Sequence, residues 1–287
     1  MFILKALRVE QWVKNLVIFI PYFSLGFLNI EKVILLSKVF FSFSLIVSST
    51  YILNDLSDID SDKNHPIKRY RPIAAGLLNI YWWLTIATSL FLLGKLLLYL
   101  IDPKLLIFSF IYLVLTLLYS YVLKYKKYFD LLLIALLFSI RLFLGSIPLE
   151  IEVSIHLVLF IFFTSLGIVS GKKLSILNDT KITNSQVKAF LNKNYKEGFL
   201  QNLIKFSFLF SILVYAHWIF NVKQNLIFEW SVIFLVISLF LLILIFYNFT
   251  KLSFIHQTED VIESFRSNNS LKYYIILFFI FAYIGIF

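Results

Sequence analysis

The chain has no cysteine, one methionine and four histidines in 287 residues. Without thiols there is no disulfide framework, no thiolate metal site and no cysteine nucleophile. The histidines, His65, His156, His217 and His256, are spread too widely to suggest a zinc site. Charge is scarce too: 15% of residues are Asp, Glu, Lys or Arg, against about 25% in a soluble domain. No GxxxxGK[ST] phosphate loop, GxSxG elbow or glycosidase-like carboxylate pair stands out.

Apolar side chains fill the space left, at 60% of the chain and a mean hydropathy of +0.89. A soluble globular enzyme is excluded, as is a disordered or fibrous chain. Apolar runs of about 20 residues, the length that crosses a bilayer, fall at 13–30, 33–53, 77–100, 104–123, 129–148, 153–171, 200–221, 226–248 and 271–287. They are continuously apolar and lack the period-two alternation of membrane strands, so helices are expected. The expectation is an all-α, multi-pass membrane bundle of about nine transmembrane helices, forming one domain over 1–287. The first run lacks a small-residue cleavage site and reads as a retained helix. Trp82, Trp83, Trp218, Trp230, Tyr273 and Tyr274 sit near proposed span ends, as interface anchors do.

The 26 basic and 16 acidic residues give a net charge of +10. In a soluble protein that balance suggests nucleic acid; in a membrane protein it first marks cytoplasmic loops. Lys32, Lys38, Lys95, Lys104 and Lys223 fall on one side of the nine-span topology, and Arg141 lies inside a span. All the other basic residues fall on the opposite side. This asymmetry puts the N-terminus and the loops after spans two, four, six and eight in the cytoplasm. The partner implied is the lipid bilayer, not nucleic acid.

Four of the few carboxylates crowd into Asn54-Asp55-Leu56-Ser57-Asp58-Ile59-Asp60-Ser61-Asp62. On a helix, Asp55, Asp58 and Asp62 share one face and Asp60 turns away. Three like charges on one stripe repel unless a cation neutralises them. Oxygen ligands without His or Cys favour Mg2+, with Mn2+ as the alternative, and Mg2+ commonly takes one or two carboxylates plus substrate phosphates. A solvated acidic loop is the bland alternative. Lys68, Arg69 and Arg71 follow closely, without the spacing of simple helix pairs. As a group they suit phosphate oxygens, although positive-inside loops also collect such residues. His65 is open between a metal or phosphate partner and a packing role.

Other polar residues lie where lipid is expected. Lys14 and Asn15 interrupt the start of span one; Tyr119, Ser120 and Lys124 end span four. Asp130 opens span five and Arg141 sits eleven residues on, on the same face and about 16 Å deeper. A charge at that depth is costly and usually faces a cavity, so Arg141 is a ligand candidate, an internal ion pair being the alternative. Lys172 and Lys173 end span six, where snorkelling anchors are the default. Glu259 and Asp260 read as a surface patch.

The run Asn54-Asp55-x-x-Asp58-x-x-x-Asp62, with Lys68-Arg69-x-Arg71-Pro72 and Gly76, resembles the first aspartate-rich motif of the UbiA prenyltransferase superfamily. That resemblance implies a nine-helix UbiA-like bundle using Mg2+ to hold a diphosphate. Arg8-Val9-Glu10-Gln11-Trp12-Val13-Lys14-Asn15, Tyr119-Ser120-x-x-x-Lys124, Asp130, Arg141-x-x-x-Gly145 and Gly171-Lys172-Lys173 look like the decaprenyl-phosphate phosphoribosyltransferase branch. One departure favours that branch. Ordinary members carry a second aspartate-rich motif after span six, whereas this loop offers only Asp179 and Glu197, with Lys172 and Lys173 at its start.

The resemblance implies 5-phosphoribosyl 1-diphosphate as donor, polyprenyl phosphate as acceptor, and residence in the bacterial cytoplasmic membrane with the active-site loops cytoplasmic. A homo-oligomer is compatible with it. Asp55, Asp58 and Asp62 are the expected metal ligands, and Asp58, Asp62 and Lys14 the expected catalytic residues. Asn15, Asn54, Lys68, Arg69, Arg71, Tyr119, Lys124, Asp130, Arg141, Lys172 and Lys173 are the expected substrate contacts. A UbiA-type transfer of an isoprenoid to an aromatic or quinone precursor is the second reading, and it calls for a second acidic cluster. A transporter or scaffold, with buried charges lining a path, is the third.

Overall fold

The computed structural model describes residues 2–23, 29–64, 68–178, 186–222, 229–255, 258, 264–265 and 267–286. His65, Asp179, His256, Glu259 and Asp260 lie outside these residues. The chain is all-helical among the described residues: α1 (Phe2–Ala6), a 3-10 segment (Val9–Phe19), α2 (Ile20–Phe23), α3 (Ile30–Ser57), α4 (Ile59–Lys63), α5 (Ile80–Ile101), α6 (Leu105–Leu118), α7 (Phe129–Ser146), α8 (Ile155–Asn178), α9 (Gln186–Asn194), α10 (Glu197–Val222), α11 (Glu229–Phe254) and α12 (Asn269–Ile286).

Eight of these helices are long and apolar enough to cross a bilayer, and they match the second to ninth expected runs. Their outer faces leave large apolar side chains such as Leu100, Phe110, Ile233 and Phe240 more than half exposed. Surface of this kind needs lipid rather than water. Asn29 starts α3 by accepting the backbone N–H groups of Glu31 (2.8 Å) and Lys32 (3.2 Å), and Asn79 starts α5 by accepting that of Tyr81 (3.2 Å). Each cap satisfies amide groups that a helix end leaves without partners. Ahead of α5, Gly76 takes φ +70, a conformation costly for any residue with a Cβ.

The first expected span differs. Residues 9–19 form a 3-10 segment, not a continuous α-helix. Pro21 contributes to this, because it has no N–H and its ring conflicts with the carbonyl four residues back; the Ile20 amide bonds to the Val17 carbonyl instead. Tertiary ties do the rest. Asn15 donates to Ser44 Oγ (2.9 Å) and Trp12 to Ser48 Oγ (2.9 Å), both on α3. On the other side, a Cβ on Gly145 of α7 would lie 1.8 Å from the Ile18 carbonyl oxygen. Only glycine lets the segment wedge so deeply between α3 and α7.

α7 is central, packing on the 3-10 segment, α6 and α8. One apolar core joins α3, α5, α6 and the inner face of α7 around Phe43, Ile46 and Leu144. Another joins α7 and α8 to α9–α12 around Leu166, Phe208 and Phe249. One expectation changes, and one contact was not foreseen. Trp83 is no interface anchor: it is fully buried beside Ala6 and Ile52, whereas Trp82, Trp230 and Tyr273 are exposed. Two histidines far apart in sequence meet, His156 Nε2 lying 2.8 Å from His217 Nδ1 across α8 and α10.

Candidate active site

A cavity of about 1760 Å³ runs from the ends of α3, α6 and α8 down to the middle of α7. Lys14, Asn54, Asp55, Asp58, Lys68, Arg71, Tyr119, Lys124, Arg141, Lys172 and Lys173 all line it. These residues are up to 159 positions apart in the chain, from Lys14 to Lys173.

The acidic stripe lies at the mouth. It does not ride on one continuous helix: α3 stops at Ser57, Asp58 takes φ −100 and ψ 7, and α4 resumes at Ile59. Asp55 and Asp62 are nevertheless buried, Asp58 is half-buried and Asp60 faces outward. The expected neutralising cations are the protein's own. Arg8 and Arg71 both pair with Asp55 Oδ1, the latter at 3.1 Å. Arg71 also reaches Asp62 Oδ2 (2.7 Å), and Lys124 Nζ reaches Asp58 Oδ2 (2.6 Å). Asn54 donates to Asp58 Oδ2 at 3.4 Å.

Lys124 arrives there through a local irregularity. Residues Tyr119–Leu123 form a π-helical turn at the end of α6, with the Lys124 amide bonded to the Tyr119 carbonyl at 2.8 Å. One extra residue in a turn rotates the residues beyond it by about 100°, and such bulges gather at functional sites. Lys68, beside Arg71 and Lys124, has its ammonium pulled below the ordinary lysine range, first by burial and then by the neighbouring Arg71 charge.

The same carboxylates fit a divalent ion shared with a substrate. Asp55, Asp58 and Asp62 each spend one oxygen on a protein cation, and carboxylate oxygens without His or Cys are the donor type that Mg2+ takes. Among the described residues, no three acidic, His or Cys side chains converge into a closed protein cage. A Mg2+ ion here would therefore have to draw on water and substrate phosphate as well as on the carboxylates.

Asp130 stands apart from the cavity wall. It is fully buried, paired through one oxygen with Lys173 Nζ and accepting the Tyr195 hydroxyl on the other at 2.6 Å. Burial, together with that bond to Asp130, holds the Tyr195 phenol above its ordinary range, so it stays a donor. The ion-pair alternative for Asp130 and Arg141 does not hold, because Asp130 belongs to Lys173. Asn15 is also off the wall: it is fully buried between Ser44 and Arg141. Arg69 is exposed and donates to the Tyr70 hydroxyl (2.7 Å), outside the cavity lining. Sequence reasoning did not select Arg8 and Tyr51, which line the cavity, or Tyr195, which holds Asp130 off its wall. Arg8 carried the signal of a motif position, whereas Tyr195 carried none.

Comparison with known proteins agrees with this geometry. A Mycobacterium tuberculosis protein named decaprenyl-phosphate phosphoribosyltransferase is 32% identical over 224 residues, covering 76% of this chain and 74% of its own. A Corynebacterium glutamicum protein of the same name is 29% identical, covering 77% and 68%. The fold matches a UbiA homolog from Archaeoglobus fulgidus bound to GPP and Mg2+, with a TM-score of 0.64, 15% identity and coverage of 99% and 98%. It also matches digeranylgeranylglyceryl phosphate synthase, with a TM-score of 0.67, 19% identity and coverage of 99% and 97%. The model of the UbiA prenyltransferase family matches residues 16–174, the stretch that holds the acidic stripe, Lys124, Asp130, Arg141 and Lys173, and the chain therefore belongs to that family.

Proposed function

We propose that this protein is a membrane phosphoribosyltransferase, moving 5-phosphoribose from 5-phosphoribosyl 1-diphosphate to a polyprenyl phosphate with release of diphosphate. The observation that carries the reading is the polarity of the cavity. It has one acidic pole, where Asp55 and Asp58 line it and Asp62 is tied to them through Arg71; apart from Glu10, the rest of its charged lining is basic: Lys5, Arg8, Lys14, Lys68, Arg71, Lys124, Arg141, Lys172 and Lys173. A single metal–diphosphate pole surrounded by cations suits two substrates that both bring phosphate. The names of the curated relatives support the same donor and acceptor. A prenyltransferase acting on an aromatic acceptor fits less well, because the end of α8 presents Lys172 and Lys173 where that chemistry wants carboxylates.

Asp55, Asp58 and Asp62 are the residues to hold Mg2+. A bound Mg2+ supplies Lewis-acid neutralisation of a leaving diphosphate, worth several kcal/mol in such reactions. Arg71 and Lys124, already at those carboxylates, supply further positive charge as the ribose C1–O bond breaks and the electron pair departs with diphosphate. An oxygen of the lipid phosphate forms the new bond to C1. That oxygen is already anionic and needs no strong base, so positioning does most of the remaining work. Lys14 and Lys172, both on the cavity wall, are the cations for the acceptor phosphate. The protein is one integral-membrane unit of the bacterial cytoplasmic membrane. Its mouth opens to the cytoplasm, a reading that rests on the lopsided distribution of Lys and Arg.

Purified protein given radiolabelled donor and polyprenyl phosphate tests the reading. Label is expected in the lipid fraction with Mg2+ and not after chelation, and Asp58→Asn is expected to abolish turnover while expressing normally. Near-normal transfer by that variant removes the assignment of the acidic pole. Prenylation of an aromatic acid without any phosphoribosyl transfer favours the second reading.

A further inference from the structure

Arg141 is an anomaly of charge. It lies about 16 Å below Asp130 along α7, with 4% of its surface exposed, in a segment that crosses the membrane. A cation at such depth is expected to have an anion or a water-filled cavity beside it. Among the described residues no carboxylate forms an ion pair with it. Its three protein acceptors are neutral: the Asn15 side-chain oxygen (2.9 Å from Nε), the Leu137 carbonyl and the Tyr112 hydroxyl (3.3 Å). A guanidinium has five N–H donors, so two are left over from these bonds. The contact to Leu137, one turn back, aims the side chain toward the N-terminal end of α7 and hence toward the mouth. The guanidinium lines the cavity, within 6 Å of the rings of Phe43, Tyr112 and Phe138. The floor of the cavity is thus a positioned, desolvated cation facing open space.

The proposed reaction brings three phosphate-bearing groups into this cavity. Two of them, the leaving diphosphate and the attacking lipid phosphate, must meet at ribose C1 and therefore belong near the acidic pole. The third, the donor's 5-phosphate, is held away from C1 by the sugar ring. The structure separates its cations in the same way. Tyr51 stands one turn below Asp55 on α3, with Arg8 over its ring at 4.8 Å, and lies within electrostatic reach of both Asp55 and Arg141. The acidic pole and the floor cation thus lie at different depths of one cavity, which Tyr51 also lines. We infer that Arg141, positioned by Asn15 and Tyr112, is the donor-specificity residue: it binds the 5-phosphate of the ribosyl donor. A hydrocarbon chain in the same place would leave the cation buried and unpaired, so Arg141 also disfavours an isoprenoid diphosphate as donor. This assignment rests on the proposed phosphoribosyl transfer.

The test compares kcat/KM for 5-phosphoribosyl 1-diphosphate with that for ribosyl 1-diphosphate, which lacks only the 5-phosphate. Hydrogen bonds to a charged group imply a preference of about 10- to 100-fold for the intact donor in the wild type. Arg141→Gln is expected to lose most of that preference, Arg141→Lys to recover part of it, and Tyr112→Phe to lower it modestly. The ratio is read on folded enzyme and does not depend on how much folds; should Arg141→Gln yield none, the Lys and Phe variants carry the test. Arg141 variants that keep the full preference overturn the inference while leaving phosphoribosyl transfer standing. Loss of rate for both donors alike, with KM for the lipid raised, assigns Arg141 to the acceptor phosphate and equally overturns it. If wild-type protein transfers from neither donor, the proposed function itself fails.

Discussion

Asp130 is expected to hold structure together rather than to touch substrate, and the energetics of its three-residue cluster say how to prove it. Its carboxylate has no exposed surface, and its partner Lys173 has a side chain 11% exposed. Removing one member of a buried pair costs about 3–5 kcal/mol, because the other charge is left uncompensated. In Asp130→Asn the stranded cation still lies 5.9 Å from the Phe190 ring and 5.7 Å from the Tyr195 ring. Aromatic faces recover about 1–2 kcal/mol for a desolvated cation, leaving a net loss of about 1–4 kcal/mol. Lys173→Met strands an anion, which no ring face relieves, and should cost the full 3–5 kcal/mol. Tyr195→Phe removes one hydrogen bond to a charged acceptor, about 1.5–3 kcal/mol. The double variant Asp130→Asn with Lys173→Met should lose clearly less than the sum of the two singles, since the pair's members are coupled.

The assay is an apparent melting temperature in detergent, read alongside donor KM. The expected order is wild type, then Tyr195→Phe and Asp130→Asn, then Lys173→Met, with the double variant above the additive value. Additive losses would show that the pair does not exist in solution. An Asp130→Asn protein that melts normally and has a raised donor KM would make Asp130 a substrate ligand and refute the reasoning.

Lys68 gives a pH signature. A lysine whose pKa is lowered loses its proton at a lower pH than a free lysine, so its attraction for an anionic donor fades earlier as pH rises. Donor KM should therefore climb at a pH below the ordinary lysine range of about 10.4, and Lys68→Arg, which stays charged throughout, should flatten that limb; an identical rise in the variant removes Lys68 from the donor site. Gly145→Ala places a methyl group against the Ile18 carbonyl, where backbone cannot move aside. A loss of more than about 4 kcal/mol, or no folded protein, is expected on that ground, and a normal melting curve would contradict the close approach.

How much of the structure was legible in the sequence depends on the range of each interaction. Eight spans were readable because lipid imposes a local rule, about twenty apolar residues in a row, that needs no knowledge of neighbours. The acidic stripe was readable for the same reason, its members lying within eight positions of one another. The first run broke the rule: what makes residues 9–19 a 3-10 segment is Ser44 and Ser48 on one side and Gly145 on the other, remote positions that composition does not connect. Charge pairing was hidden likewise. Asp58 meets Lys124 across 66 positions, Asp55 meets Arg8 across 47, and Asp130 meets Tyr195 across 65. Lys124 and Arg8, each taken alone, share their charge with the many lysines and arginines that merely set orientation. Arg141 is the exception that explains the others. At mid-membrane no orienting role is available to a cation, so its position alone demanded a cavity and an anion. The cavity is present, and the neutral groups around Arg141 leave the anion to be supplied by a substrate.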